Sequence, residues 1–276
     1  MANITSADIV KLRKITLAGM MDCKRALEEA DGNFDKAIEI IRKKGQLIAS
    51  KRADRLASEG AVLAKVSPMG NLGAMIVLNS ETDFVARNAE FLKLAENILN
   101  IALANAPENL DALKALKLDG TIISEKIVEY IGVIGEKIDL SFYEKIEAPY
   151  VHAYVHPGNR LASLAGFSKA GLDIQIYKDI AMQIAAMNPI AIDRDDVKPE
   201  IIAQEIEIGK EQARLEGKPE AMLEKIAQGK LSKFFKENTL LNQEFIKDNK
   251  ITVKQYIQSA DKELKVTGFV RYALNQ

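Results

Sequence analysis

Apolar residues recur at helical spacing through the first 45 or so positions of the chain, and then the period changes at Gly60. Thr5 and Asp8 have the spacing of a capping box, and Ile9, Leu12 and Ile15 follow at three-residue intervals. The pattern breaks around Gly19, and Asp22 is a candidate cap for a second helix, DCKRALEEA. That helix stops at the turn sequence Asp31, Gly32, Asn33. A third, FDKAIEIIRKK, carries Phe34, Ala37, Ile38 and Ile41 on one face and is expected to end at Gly45. Three helices this short bury little surface, which suits a small binding module.

Beyond Gly60, AVLAKVS and LGAMIVLN are β-rich runs on either side of the turn PMGN and predict a hairpin. A long helix from about Asn88 follows, with Phe91, Leu92, Leu94, Ala95, Ile98 and Leu99 as its apolar stripe. Then come a helix, SEKIVEYIGVIG, and a strand-like run, EKIDLSFYEKIEA. The plan then repeats. YVHAYVH and RLASLAGF flank the turn PGN, with Gly70 and Gly158 at equivalent turns. A helix around YKDIAMQIAAM follows, and the second copy closes with TVKQYIQSADKEL and the strand KVTGFVRYAL. Inside that copy lies a charged helical insertion broken at Gly217, Lys218, Pro219, the pattern of two antiparallel helices. The expected class is α+β, with a helical module over residues 1–55 and a core subdomain over 56–148. A second subdomain takes 149–192 and 237–276, and the insertion takes 193–236.

Composition narrows the function. The chain has 276 residues, 47% hydrophobic and 28% charged, enough for two modest domains with packed cores. Lys+Arg is 38 against Asp+Glu 39, so a protein devoted to gripping phosphate backbones is not expected, and direct nucleic-acid binding is not predicted. The basic stretch from Arg42 to Arg55 reads as a solvated helical linker. No apolar run approaches the roughly 20 residues that span a bilayer, and MANITSADIV lacks the features of a signal peptide. A cytoplasmic protein without membrane contact is the expectation.

Candidate chemistry is sparse. Neither a phosphate-binding loop nor a dinucleotide fingerprint is present. His152 and His156 would share a strand face, but no third ligand accompanies them, so no metal and no cofactor is expected. Cys23 reads as a small buried apolar residue. What remains is the loop ETDFVARN, Glu81 to Asn88. Thr82 or Asp83 can cap a helix there, with Phe84 tucked into the core. Chemistry alone favours that reading over the alternative, a rigid tip that offers a carboxylate beside an aromatic ring to a partner. Met20 and Met21 pose a similar choice, because adjacent helical residues cannot both face one core, so one of them should be exposed.

Read together, these segments resemble the translation elongation factor Ts family. LRKITLAGMMDCKRALEEADGNFDKAIEIIRKKG is close to that family's opening signature, and ETDFVARN matches its second almost letter for letter. IGEKIDL, YVHPGNRLASL, GKPEAMLEKIAQGKLSKFF and TGFVRY follow in family order. Leu17 stands where the family usually has Gly, so the first interhelical loop is expected to bend less sharply; Ser141 and Phe142 replace a usual pair of arginines. The resemblance implies a ubiquitin-associated-like N-terminal module, two related subdomains and a protruding coiled-coil hairpin, the last a candidate surface for pairing two copies. It implies a guanine-nucleotide exchange factor, without covalent chemistry of its own, for elongation factor Tu in its GDP-bound and nucleotide-free states. Thr82, Asp83, Phe84 and Val85 would then dislodge the partner's Mg²⁺. Leu12, Met20, Met21 and Lys24 would grip its nucleotide domain, and Ile134, Gly135 and His156 would meet other surfaces. An adaptor using the helical module, or an enzyme using the duplicated body, are the rival readings.

Overall fold

A computed structural model describes residues 4–275. Three helices come first: α1 (Ser6–Thr16), α2 (Met20–Glu29) and α3 (Phe34–Lys51). The Thr5–Asp8 capping box forms as expected, and Asn33 caps α3 through the Lys36 N–H. Two expectations fail. Gly19, not Asp22, caps α2; Asp22 lies in the first turn, where its carboxylate pairs with Arg25 and Lys44. Gly45 does not end α3, which runs on to Lys51 because Gly45 faces another helix rather than a turn.

The body is two three-stranded antiparallel sheets stacked face to face, with helices on both outer sides. The first sheet has the order β1 (Glu59–Val66), β2 (Leu72–Ser80), β5 (Ile138–Glu147). Between β2 and β5 the chain forms α4 (Asp83–Ala86), α5 (Ala89–Asn105), α6 (Leu110–Lys114), the ribbon β3–β4 (Lys117–Leu118, Thr121–Ile122) and α7 (Ile123–Ile134). The second sheet has the order β6 (Tyr150–Val155), β7 (Leu161–Phe167), β10 (Val266–Ala273). Each sheet is therefore a hairpin whose second strand takes a later strand on its free edge, and the repeat seen in the sequence is a repeat of topology. Gly70 and Gly158 both have positive φ, 73° and 90°, at the matching turns.

The alternation of side chains explains the layers. In β2, Ala74, Ile76 and Leu78 face Phe91, Leu94, Ile98 and Ile131 of α5 and α7, while Met75 and Val77 face Val151, Ala162 and Leu164 of the second sheet. A strand covered on both faces reads as a continuous apolar run, as LGAMIVLN does. Behind the second sheet, Ala165 and Phe167 meet Tyr177, Ile180 and Ile184 of α8 (Ile174–Met187) and Val253 and Ile257 of α11 (Val253–Ala260). Ser141 falls where the β2–β5 register shifts, and Phe142 packs between the sheets with its ring 4.8 Å from that of Tyr272. Ser141 is exposed and its hydroxyl donates to Asn79 Oδ1, so a hydrogen bond and ring packing, not charge, occupy those two positions.

The second half is tied together by buried polar groups. Asp179 on α8, only 3% exposed, takes Lys247 Nζ at 2.7 Å, Tyr256 Oη at 2.8 Å and Gln175 Nε2 at 2.6 Å. Burial pushes its carboxyl pKa upward, but these donors outweigh it and hold the group below the usual aspartate value. They fasten the ribbon β8 (Glu244–Phe245) and β9 (Asp248–Thr252) and α11 against α8. The insertion forms α9 (Pro199–Leu215) and α10 (Glu220–Asn238), an antiparallel pair in which Gly209 lies against Ala227 and Lys210 bridges Glu207 and Glu224. Among the described residues, no helix is long and apolar enough to cross a membrane.

Candidate functional site

The loop from Glu81 to Asn88 leaves the C-terminal end of β2 and contains one helical turn before α5 begins. Thr82 is the cap of that turn: its hydroxyl accepts the Val85 N–H at 3.4 Å, and its backbone is extended. Asn88 caps the next helix by accepting the Glu90 N–H at 2.8 Å. Two caps six residues apart in sequence leave the segment between them little freedom. Val85 turns inward onto the core of the first half. Phe84, one position earlier, points the other way and is 84% exposed. The alternative in which Phe84 fills the core is thus ruled out, because Val85 takes that place. Asp83 is half-exposed beside it and pairs with the exposed Arg87 at 3.1 Å.

Neighbouring segments hold this tip from behind. The Thr82 N–H and hydroxyl both donate to the Glu136 carboxylate, at 3.1 and 2.8 Å. Glu81 accepts Arg52 Nη1 on both oxygens at 2.8 Å and the Lys137 N–H at 2.6 Å. Burial raises the Glu81 pKa, but the Lys137 N–H and the Arg52 guanidinium prevail and keep the group ionised below the usual glutamate range. The Lys137 ammonium reaches on to the carbonyls of Ala53 and Arg55, at 2.7 and 3.0 Å. Ile134 and Gly135 immediately precede these residues; Ile134 packs partly into the first core and Gly135 ends α7 with φ 79°.

The second hairpin's turn comes to the same end of the molecule. Its Asn159 carbonyl accepts the Val62 N–H at 2.7 Å, Arg160 pairs with Glu59, and Asp83 lies close enough to raise the Arg160 pKa further. His156 is exposed in this turn, with Nδ1 2.9 Å from Tyr154 Oη. His152 lies back on β6, where burial, assisted by the charge of Lys178, lowers its pKa. The two histidines do not converge, and among the described residues no group of three His, Cys, Asp or Glu side chains is placed to hold a metal.

On the helical module Met20 and Met21 are both exposed, at the first turn of α2, rather than one of the two. Lys24 is half-exposed and 3.7 Å from Glu28. Leu12 has no exposed surface and sits among Cys23, Ala26, Leu27 and Ala37, where it shapes the module. Leu17 is a correction. It adopts φ 59° and ψ 3° and caps α1 as a glycine would, so the loop bends as sharply as with Gly. Residues that sequence reasoning passed over are Arg52, Glu136, Lys137 and Arg160. Glu136 and Lys137 stood in IGEKIDL, where the resemblance gave a role only to Ile134 and Gly135, and nothing local tied them to Thr82.

A loop tip that offers a ring and a carboxylate to solvent, braced from behind on a duplicated two-sheet body, marks out this α+β protein. Residues 81–276 match the sequence profile described as elongation factor TS. The chain is 54% identical over 270 residues to elongation factor Ts of Amoebophilus asiaticus, covering 97% of this chain and 98% of that protein. It is 52% identical over 273 residues to that of Porphyromonas gingivalis (99% and 98%), and 50% over 275 residues to that of Flavobacterium psychrophilum (99% and 100%). The chain belongs to the elongation factor Ts family.

Proposed function

We propose that this chain is a guanine-nucleotide exchange factor: it binds elongation factor Tu in its GDP state, dislodges Mg²⁺ from that partner and speeds GDP release in translation elongation. The observation that carries the reading is the outward, 84% exposed ring of Phe84 on a braced tip. An exposed large aromatic side chain loses favourable free energy unless something covers it, and aromatic anchors dominate protein contacts.

The partner's GDP is held by backbone N–H groups at its phosphate loop and by Mg²⁺, strong charge-assisted interactions whose loss is slow. A factor needs no covalent chemistry to speed that loss. It need only bind the nucleotide-free state better than the GDP state, and by linkage GDP and the factor then weaken each other equally. In this reading Phe84 wedges into the partner's nucleotide domain and Asp83 disturbs the polar network near the metal. Thr82 and Val85 set the pose, one as the cap and the other as an inward anchor. A thousandfold acceleration requires roughly 4 kcal/mol of differential binding, within reach of one buried aromatic wedge and its surroundings.

Met20, Met21 and Lys24 would anchor the partner from a ubiquitin-associated-like α1–α3 module, with Leu12 supporting them from inside. The Gly135 loop and His156 would meet further surfaces from the same end of the body as the tip. The α9–α10 pair would serve as a coiled-coil arm. The test is release of a fluorescent GDP from elongation factor Tu. Phe84→Ala should slow the factor-stimulated rate at least tenfold, about 1.4 kcal/mol, with the melting temperature unchanged. Stimulated release at the wild-type rate would sink the wedge.

A further inference from the structure

Two carboxylates behind the tip, Glu81 and Glu136, belong to no contact proposed above, yet each accepts at least two hydrogen bonds from residues distant in sequence. Glu136 takes both the N–H and the hydroxyl of Thr82. Glu81 takes Arg52 from the end of α3 and the Lys137 N–H from the loop after α7. Lys137 closes the arrangement by binding two carbonyls of the linker after α3. Three separate parts of the chain, the helical module's exit, the tip and the α7–β5 loop, are thereby joined at one point. Side chains of this kind in a core merely satisfy one another, but here the bonds made by Glu81 and Glu136 converge on Glu81 and Thr82, the two residues directly preceding Asp83 and Phe84.

We infer that Glu81 and Glu136 are positioning residues: they fix the direction of the Asp83–Phe84 tip relative to the helical module before any partner arrives. The inference rests on the exchange-factor reading and adds a cause for its efficiency. Pre-set geometry spares the ordering cost at contact, and a misplacement of about 1 Å at a working group costs up to a hundredfold in rate. The Thr82 hydroxyl has a specific chemical consequence. A hydroxyl both donates and accepts, whereas the Thr82 N–H only donates. Glutamine at position 136 can therefore keep both links, with its oxygen accepting the N–H and its amide donating to the hydroxyl. Alanine keeps neither.

The test uses the full chain and the same fluorescent-GDP release from elongation factor Tu, titrated to saturation. Glu81→Ala and Glu136→Ala should each lower the saturating rate on the order of tenfold. The half-saturating concentration should stay within about twofold, with melting unchanged, and Glu136→Gln should recover most of the rate. Saturating rates at the wild-type level in both alanine variants would overturn the inference. So would a Glu136→Gln variant as slow as Glu136→Ala, or a loss of rate that tracks a lowered melting temperature. Phe84→Ala run alongside separates the two readings: if it slows release and the carboxylate variants do not, positioning fails and the wedge stands. If Phe84→Ala releases GDP at the wild-type rate, the wedge fails and the positioning role falls with it.

Discussion

Leu17 adopts a left-handed backbone conformation that most side chains avoid, and it does so in an exposed position at the end of α1. The Cβ in that conformation costs roughly 1–2 kcal/mol, part of which is offset by the smaller entropy loss of leucine relative to glycine on folding. Leu17→Gly should therefore stabilise the helical module by about 1 kcal/mol, read as a higher denaturant midpoint with an unchanged slope. No gain would mean that the Leu17 side chain makes up the difference through packing. The same residue shows where sequence reasoning stops. Departure from a family glycine was visible, but whether the backbone or the side chain yields was not, because that depends on the helices on either side. Phe84 is the parallel case at the tip. A capped turn has one inward position, and the sequence could not say whether Phe84 or Val85 fills it. Leu12 was legible in its helical period, which marks it as core, where it lies; the contact came from the resemblance alone.

At the scale of elements, the hairpins, the long helices and the duplicated order were legible, since each carries a strong period and a turn signal of its own. The short ribbons β3–β4 and β8–β9 were not, because strands of two residues, such as β3, β4 and β8, have no period. The end of α3 was misjudged for a tertiary reason. A Cβ on Gly132 would lie 2.5 Å from Gly45 Cα, so the two glycines let α3 and α7 cross with backbones nearly touching. A glycine kept for close approach looks the same in sequence as one kept for a cap. Gly132→Ala should cost about 1–3 kcal/mol through overpacking and loosen the module from the body, seen as faster amide exchange in α3. Gly229→Ala in α10, where an added Cβ would meet nothing within 4 Å, should instead gain up to about 1 kcal/mol of helix propensity. Equal effects at the two sites would refute the close-crossing account.

For the whole molecule, the main features are its near-neutral charge, its two stacked sheets and the gathering of the tip, the α7–β5 loop and the second hairpin turn at one end. The sequence named the tip and the turn as separate motifs. That they share an end follows from the sheet stacking and from long-range ion pairs such as Glu59–Arg160, which no local pattern announces. With Lys+Arg and Asp+Glu almost equal, association with a partner would owe little to long-range steering and much to contact quality. The central claim is that this end of the molecule promotes nucleotide release, and one titration tests it most directly. Elongation factor Tu loaded with fluorescent GDP is mixed with increasing amounts of the chain and excess unlabelled GDP. The release rate should rise and saturate on the order of a thousandfold above the spontaneous rate. A rate that stays at the spontaneous value at every concentration would contradict the account.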